Sequence, residues 1–276
     1  MAAQGNTTAN WSEIVLERLD AGIARVWLDR PDRRNALTSE TMHRLHEVLA
    51  EIGGDRTLRA VIFTGRGRAF CAGLDLAVEG GRSVGVDRSP GEWMALQELF
   101  AGAVRRLRQM DKVVIAAVNG AAVGAGMALA LGADLRIAAE SATFHVGAVR
   151  IGLTAGECGI SYHLPRCIGA TRAFEIMLSG RAVDAGEALA VGLVTETVAD
   201  AQLQARALAL AADVLRHSAY AVSHTKQVMW ANLDAPSLDA AIALENHAQV
   251  LALMTKDFNE AVTAFLEKRP AVFHNQ

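Results

Sequence analysis

The stretch Asn119-Gly120-Ala121-Ala122-Val123-Gly124-Ala125-Gly126-Met127-Ala128 constrains the fold more than any other part of the chain. It follows the apolar run Val113 to Val118, which reads as a buried strand, and leads into Ala128 to Ala133, which reads as the start of a buried helix. A chain that turns from strand to helix through glycines exposes free backbone N–H groups at the helix N-terminus. Such groups bind an anion, or an oxygen that gains negative charge during a reaction. A second glycine turn, Cys71-Ala72-Gly73-Leu74-Asp75-Leu76, also follows a buried run, Ala60 to Thr64. Two turns that each present one N–H make an oxyanion hole. The alternative for either alone is a tight turn that uses glycine for steric reasons. A phosphate loop is a weaker rival: no Lys-Ser/Thr follows the Gly-rich turn, and the glycine spacing is not that of a dinucleotide fingerprint.

The surrounding pattern predicts an α/β fold. Ile14 to Leu19 and Ile23 to Leu28 read as a hairpin about Asp20-Ala21-Gly22. Arg30 to Leu37 reads as a loop. Thr38 or Ser39 caps a helix with Met42, Leu45, Val48, Leu49 and Ile52 on one face, and Gly53-Gly54 ends it. Val78 to Gly91 has no usable period and reads as a mobile loop, followed by a helix from Glu92 to Met110. Leu135 to Ala138 is a further strand. Strands alternating with helices argue for parallel strands joined by right-handed crossovers. Beyond Gly159 the chain turns mostly helical, with Asp184 as cap of Ala185 to Ala190 and one strand over Leu193 to Val198. Helices follow over Ala201–Arg216, Ala219–Trp230, Leu238–Leu253 and Lys256–Lys268. The organisation expected is a flexible tail over 1–11, a core over 12–200 and a helical region over 201–276.

Composition excludes several classes. With 276 residues, half of them hydrophobic, the chain supports a sizeable core. A net charge of −3 gives no reason to expect nucleic acid or an anionic membrane surface as partner. Cys71, Cys158 and Cys167 have neither metal-ligand spacing nor an even count, which points to a reduced, cytoplasmic setting and no metal. Met1 to Asn10 lacks the basic and apolar regions of a signal peptide, and no apolar run is long enough to span a bilayer.

Ala69-Phe70-Cys71-Ala72-Gly73-Leu74-Asp75-Leu76 followed at a distance by Ala117 to Gly126 resembles the enoyl-CoA hydratase/isomerase (crotonase) superfamily. Arg30-Pro31 with Asn35-Ala36-Leu37, Ala133 to Ala138, Ala182 to Val194 and Phe265 to Pro270 extend the resemblance over nearly the whole chain after Ser12. The resemblance implies a crotonase-like spiral of ββα units. It also implies a helical C-terminal trimerisation region, with homotrimers or hexamers built as dimers of trimers. The substrate it implies is an acyl-CoA thioester, coenzyme A being part of the substrate and no cofactor being held permanently. The oxyanion-hole donors become the backbone N–H groups of Leu74 and Ala125. Coenzyme A is expected along Arg33, Arg34, Ala36 and the segment Ala72 to Ala77, with Asp75 and Leu76 in that segment and Phe265 and Lys268 reaching the nucleotide from the tail. Either arginine suits phosphate oxygens, and either is equally well a solvated loop residue. Phe265 and Lys268 are equally well a core aromatic and a snorkelling lysine. Asp75 is expected to cap a turn and hold the first oxyanion loop.

The chain departs from the family's hydratase pattern in two places. Ala128, and a residue at about Ala148, stand where hydratases carry glutamates, and no Asp or Glu lies between Ser141 and Gly156. Hydration needs one group to activate water and another to protonate the α-carbon, and two methyls do neither. One acid remains nearby, Glu157, at a position where dienoyl-CoA isomerases and chlorobenzoyl-CoA dehalogenases carry aspartate. It is either a base or a carboxylate favoured ahead of a helix. Ser161 and Tyr162 are candidates to orient it. His145 is a packing histidine or a proton shuttle, and His163, Cys158 and Cys167 pack. Trp93, Met94 and Leu96 suggest an apolar wall. The reading is double-bond isomerisation of an unsaturated acyl-CoA with Glu157 as base. Hydrolysis or C–C cleavage of an acyl-CoA, and non-catalytic acyl-CoA binding, are the alternatives.

Overall fold

The computed structural model describes residues 7–11 and 13–274. Thr7–Trp11 (β1), Ile14–Leu19 (β2) and Ile23–Leu28 (β3) form an antiparallel meander, and the β2–β3 pair is the expected hairpin. β1 corrects the expectation of a tail over 1–11: Thr7 lies opposite Arg18 and Trp11 opposite Ile14. Polar Thr and Asn residues disguise a strand that covers the otherwise unpaired edge of β2. Residues 1–6 of that expected tail lie outside the described residues.

Ser39–Gly54 (α1) begins at Thr38, whose hydroxyl accepts the Thr41 N–H at 3.1 Å, and it buries the five apolar residues expected on one face. Ala60–Gly65 (β4), Ala69–Cys71 (β5), Leu76–Glu79 (α2) and Pro90–Gln109 (α3) follow. The stretch Val78 to Gly91 is not a featureless loop. It holds the end of α2 and a 3-10 turn at Gly81–Val84. The buried Glu79 carboxylate accepts the Ser39 N–H at 2.8 Å and pairs with Arg88, whose guanidinium lies 4.8 Å from the Trp93 ring centre. Single turns carry no readable period, so the sequence hid them. α3 starts at Pro90 rather than Glu92, because Ser89 and Glu92 close a capping box around Pro90.

Val113–Val118 (β6), Ala121–Val123 (β7), Ala125–Leu131 (α4), Leu135–Ala139 (β8) and Thr143–His145 (β9) continue the chain. Ile160–Ile168 (α5), Ala170–Ser179 (α6), Ala182–Asp184 (β10), Ala185–Ala190 (α7) and Glu196–Val198 (β11) complete the core. β11 starts later than expected because Leu193 and Val194 turn back, both N–H groups reaching the Ala188 carbonyl. One sheet has the order β1-β2-β3-β4-β6-β8-β11 and a second the order β10-β9-β7-β5. Each of β4, β6 and β8 enters the large sheet, and the strand after it enters the small one. Helices then return the chain for the next turn, which makes a spiral of ββα units. From β3 onward the large sheet is parallel.

Alternate side chains face opposite sides of the large sheet. Val61, Phe63, Val114 and Ala116 join the core under α1, α3 and α4. Ile62, Ile115 and Ile137 pack on Leu203, Ala207 and Ala211 of Leu203–Leu215 (α8). Ala219–Asn232 (α9), Leu238–Leu253 (α10) and Lys256–Glu267 (α11) end the chain. α10 buries no residue, and among the described residues no helix is long and apolar enough to cross a membrane.

Candidate active site

The two glycine turns meet. Leu37 forms an isolated parallel bridge with Leu74: its N–H reaches the Gly73 carbonyl at 2.7 Å, and its carbonyl accepts the Asp75 N–H at 2.8 Å. In such a bridge the neighbours of Leu74 make the bonds, so the N–H of Leu74 itself points the other way. Gly73 sits at φ 82°, and a β-carbon there would stand 2.7 Å from the Val123 carbonyl oxygen and 3.6 Å from the Ala125 nitrogen. Only glycine permits that approach. It brings Gly73, the residue before Leu74, close to the backbone nitrogen of Ala125, the first residue of α4. Among the described residues neither the Leu74 N–H nor the Ala125 N–H has an acceptor.

Asp75 holds the first turn. Its carboxylate accepts the Ala77 N–H at 3.1 Å and pairs with Arg30 at 3.2 Å and Arg33 at 3.4 Å. Arg30 in turn donates to the Ala36 carbonyl at 2.6 Å, and the Arg34 carbonyl accepts the Ala72 N–H at 3.0 Å. The loop carrying Arg33, Arg34 and Ala36 is therefore bound to the turn carrying Ala72, Leu74 and Leu76. Asn35, at its centre, is 1% exposed and donates to the Arg66 and Ala69 carbonyls at 2.9 and 2.8 Å.

Both turns line a cavity of about 180 Å³, with Leu96, Gln97 and Phe100 of α3, Ala148, Ile151 and Leu153 around it. Glu157 is the only carboxylate among its lining residues. A β-carbon on Gly124, which is at φ 50°, would lie 3.1 Å from Glu157 Oε1, so the carboxylate rests against the second turn. Burial raises the Glu157 pKa above the ordinary carboxylate value. A larger cavity of about 720 Å³, lined by Arg136, His163, Lys226 and Trp230, contains neither free N–H.

Residues 18–276 match the model of the enoyl-CoA hydratase/isomerase family. The chain belongs to this family. It is 41% identical over 269 residues to the probable enoyl-CoA hydratase EchA12 of Mycobacterium tuberculosis, covering 95% of this chain and 93% of that one. It is 36% identical over 261 residues to 1,2-epoxyphenylacetyl-CoA isomerase of Escherichia coli, covering 95% and 98%. A probable enoyl-CoA hydratase/isomerase from Mycobacterium abscessus superposes with a TM-score of 0.88 at 39% identity, covering 96% of this chain and all of that one. The fold is the crotonase fold.

Within this family member, the expected site residues divide into two groups. Ala72, Leu74, Leu76, Ala125 and Glu157 line one cavity, with Asp75, Arg33, Arg34 and Ala36 tied behind the first turn. Phe265, 82% exposed, and Lys268, at φ 55° just past α11, line no part of that cavity. Ala128 is fully buried in α4, whereas Ala148 lines the cavity wall.

Several expectations need correction. Neither Tyr162 nor Ser161 touches Glu157 by a hydrogen bond among the described residues: the Tyr162 hydroxyl donates to Asp234 instead. Ser161 lies instead against Gly156, its Oγ 3.5 Å from where a β-carbon there would stand. Cys158 packs against the core as expected and also lines the cavity, and burial pushes its thiol up to about 12. Trp93 packs under Arg88 and Met94 is 63% exposed, so of that trio only Leu96 forms the wall. His145 donates to or accepts from the Thr143 hydroxyl at 2.9 Å and is outside the cavity. Gln97, Phe100, Ile151 and Leu153 escaped the sequence reading. The helical spacing of Leu96 and Phe100 was the one available signal.

Proposed function

We propose that the chain is an acyl-CoA-processing enzyme that moves a double bond in an unsaturated acyl thioester, with Glu157 as its base. The observation that carries this reading is a single carboxylate in an apolar cavity, seated against a turn that offers a free N–H. The N–H groups of Leu74 and Ala125 hold the thioester oxygen. Glu157 takes a proton from the α-carbon of a 3-enoyl thioester, the electron pair passes to the oxygen as a dienolate, and the same carboxyl returns the proton to the γ-carbon. One acid suffices, and nothing is gained or lost. Two preorganised dipoles stabilise the charge; loss of one such donor costs about 3 kcal/mol in comparable sites. The raised pKa of Glu157 brings it nearer to what a base acting at neutral pH requires.

Hydration by two glutamates is disfavoured by Ala128 and Ala148. Coenzyme A fits along Arg33, Arg34, Ala36 and the Ala72 to Ala77 segment. Phe265 and Lys268 suit the nucleotide once a neighbouring copy is present, and the uncovered α10 supports self-association as a trimer or hexamer. The decisive experiment is Glu157→Gln assayed on a panel of 2-enoyl, 3-enoyl and dienoyl thioesters. Turnover is expected to fall by about 10²–10⁴-fold with thioester binding intact. Unchanged turnover overturns the reading. Tight binding without turnover of any thioester by the unmodified chain supports a non-catalytic acyl-CoA binder instead.

A further inference from the structure

The C-terminal helices reach Glu157 through the first turn of α5, and we infer that Tyr162 and Asp234 form a clamp that positions its carboxylate. The inference rests on Glu157 being the acid of the proposed reaction. Tyr162 is the third residue of α5, and its hydroxyl donates to Asp234, which lies in the turn between α9 and α10. Arg166, one turn further along α5, donates to Asp234 Oδ1 at 2.8 Å and stands 3.6 Å from the Tyr162 ring centre. Arg108, near the end of α3, lies 5.0 Å from the same ring and 4.4 Å from the Trp230 ring, and donates to the Trp230 carbonyl at 3.3 Å. Its guanidinium is 3.8 Å from Asp234. His163 meets Trp230 edge-on at 5.6 Å, and Trp230 is fixed to the core by donating to Asp134 at 2.7 Å.

An isolated exposed ion pair contributes little. Here one carboxylate gathers a hydroxyl and two guanidinium groups, and both guanidiniums also stack on aromatic faces. The cluster joins three elements at one point: α5, which follows the acid; α3, which lines the cavity; and the end of α9.

The chain between Tyr162 and Glu157 has little slack. The Ile160 N–H returns to the Glu157 carbonyl at 2.8 Å, and the Tyr162 N–H to the Gly159 carbonyl at 3.1 Å. Between them Cys158 at φ 45° and Gly159 at φ 86° take two successive left-handed steps. A rotation of the first turn of α5 is therefore carried to the carboxylate. Because Leu96 and Phe100 belong to α3, the clamp sets the acid relative to the cavity wall as well as to α5. A displacement of about 1 Å at a reacting group costs up to 10²-fold in rate.

The test uses Asp234→Ala, Asp234→Asn and Tyr162→Phe in the full chain, with Glu157→Gln in parallel. Asp234→Ala is expected to lower kcat for a 3-enoyl thioester by about 10–100-fold with KM unchanged. Asp234→Asn, which keeps part of the hydrogen bonding, is expected to fall between it and the parent. The amides of Ile160 to Tyr162 are expected to exchange hydrogen about tenfold faster in Asp234→Ala, with exchange in β4 and β6 unaltered. Parent-like kcat together with parent-like exchange at those amides overturns the clamp, as does a loss carried by KM alone. If Glu157→Gln retains turnover, the proposed reaction fails on its own, and the exchange readout still decides whether the clamp holds the segment.

Discussion

The Glu157 carboxylate leaves no room for a side chain on Gly124: Oε1 lies 3.1 Å from where a β-carbon on Gly124 would stand, closer than an ordinary contact. The backbone of Gly124, at φ 50° and ψ −118°, is one that residues with side chains rarely adopt. The residue that shapes the second turn thus also sets the seat of the acid.

Gly124→Ala is accordingly expected to do two things. It strains the backbone, lowering stability by roughly 1–3 kcal/mol, and it displaces the carboxylate. A fall in kcat larger than in the thermally stressed but correctly seated variant Gly152→Ala, at a left-handed turn with open space around it, separates the two effects. Equal kcat in both variants refutes the seating role.

The pH dependence follows from burial of Glu157. Its folded pKa lies above its unfolded value. The folded state therefore holds the proton more tightly, and stability is lost as pH rises from the unfolded to the folded pKa. Activity has the opposite sense, since the base must be ionised, so it falls as pH drops through the raised pKa. Glu157→Gln is expected to melt higher than the parent at pH 8 and to lose that advantage at low pH. Melting curves across that range check both the sign and the window; a variant less stable than the parent at pH 8 contradicts it.

Lys226 is buried, and its ammonium donates to the Leu107 and Lys112 carbonyls at 3.1 and 2.8 Å while pairing with Asp134 at 2.9 Å. Burial, opposed mainly by Asp134, lowers its pKa. Removing the carboxylate alone leaves a buried cation, so Asp134→Ala is expected to cost about 3–5 kcal/mol in denaturant unfolding. The double variant Asp134→Leu with Lys226→Met is expected to be the more stable of the two.

Asn35 adopts φ 56° and spends its amide on carbonyls either side of the Arg66–Phe70 loop. Asn35→Ala removes these bonds inside the protein, although the Ala69 carbonyl keeps the Asn119 amide at 3.2 Å, and is expected to cost roughly 2–4 kcal/mol. The same change loosens the support of the first oxyanion turn, so kcat should fall alongside the melting temperature. A stable variant with normal turnover would show that the loop is held elsewhere.

Much of this was legible from the residues. Apolar runs such as Val113 to Val118 mark buried parallel strands, and the apolar face of α1 appears in its spacing. The two glycine turns announce themselves because few other residues make them. What stayed hidden was short or set by distance in sequence. β5, β7, β9 and β10 have three residues each, too few for alternation to show, yet they build the small sheet that carries both turns. The partner of Tyr162 lies 72 positions away in Asp234, and no local pattern signals it. Likewise the wall residues Ile151 and Leu153 carry no local signal until the fold brings them to the same cavity as Leu76.

The contact between Gly73 and the Val123 carbonyl is made by main-chain atoms on both sides. The spacing of the two donors is thus written into the backbone, and no side chain in the cavity takes part in setting it. In the proposed reaction, side chains around the hole can be exchanged, moved from α4 to the approach of α5, or dropped to methyl without rebuilding the backbone that would polarise the thioester. Under the proposed reaction, such a division gives the fold evolvability: a fixed backbone chassis, with the choice of reaction left to where one carboxylate is hung.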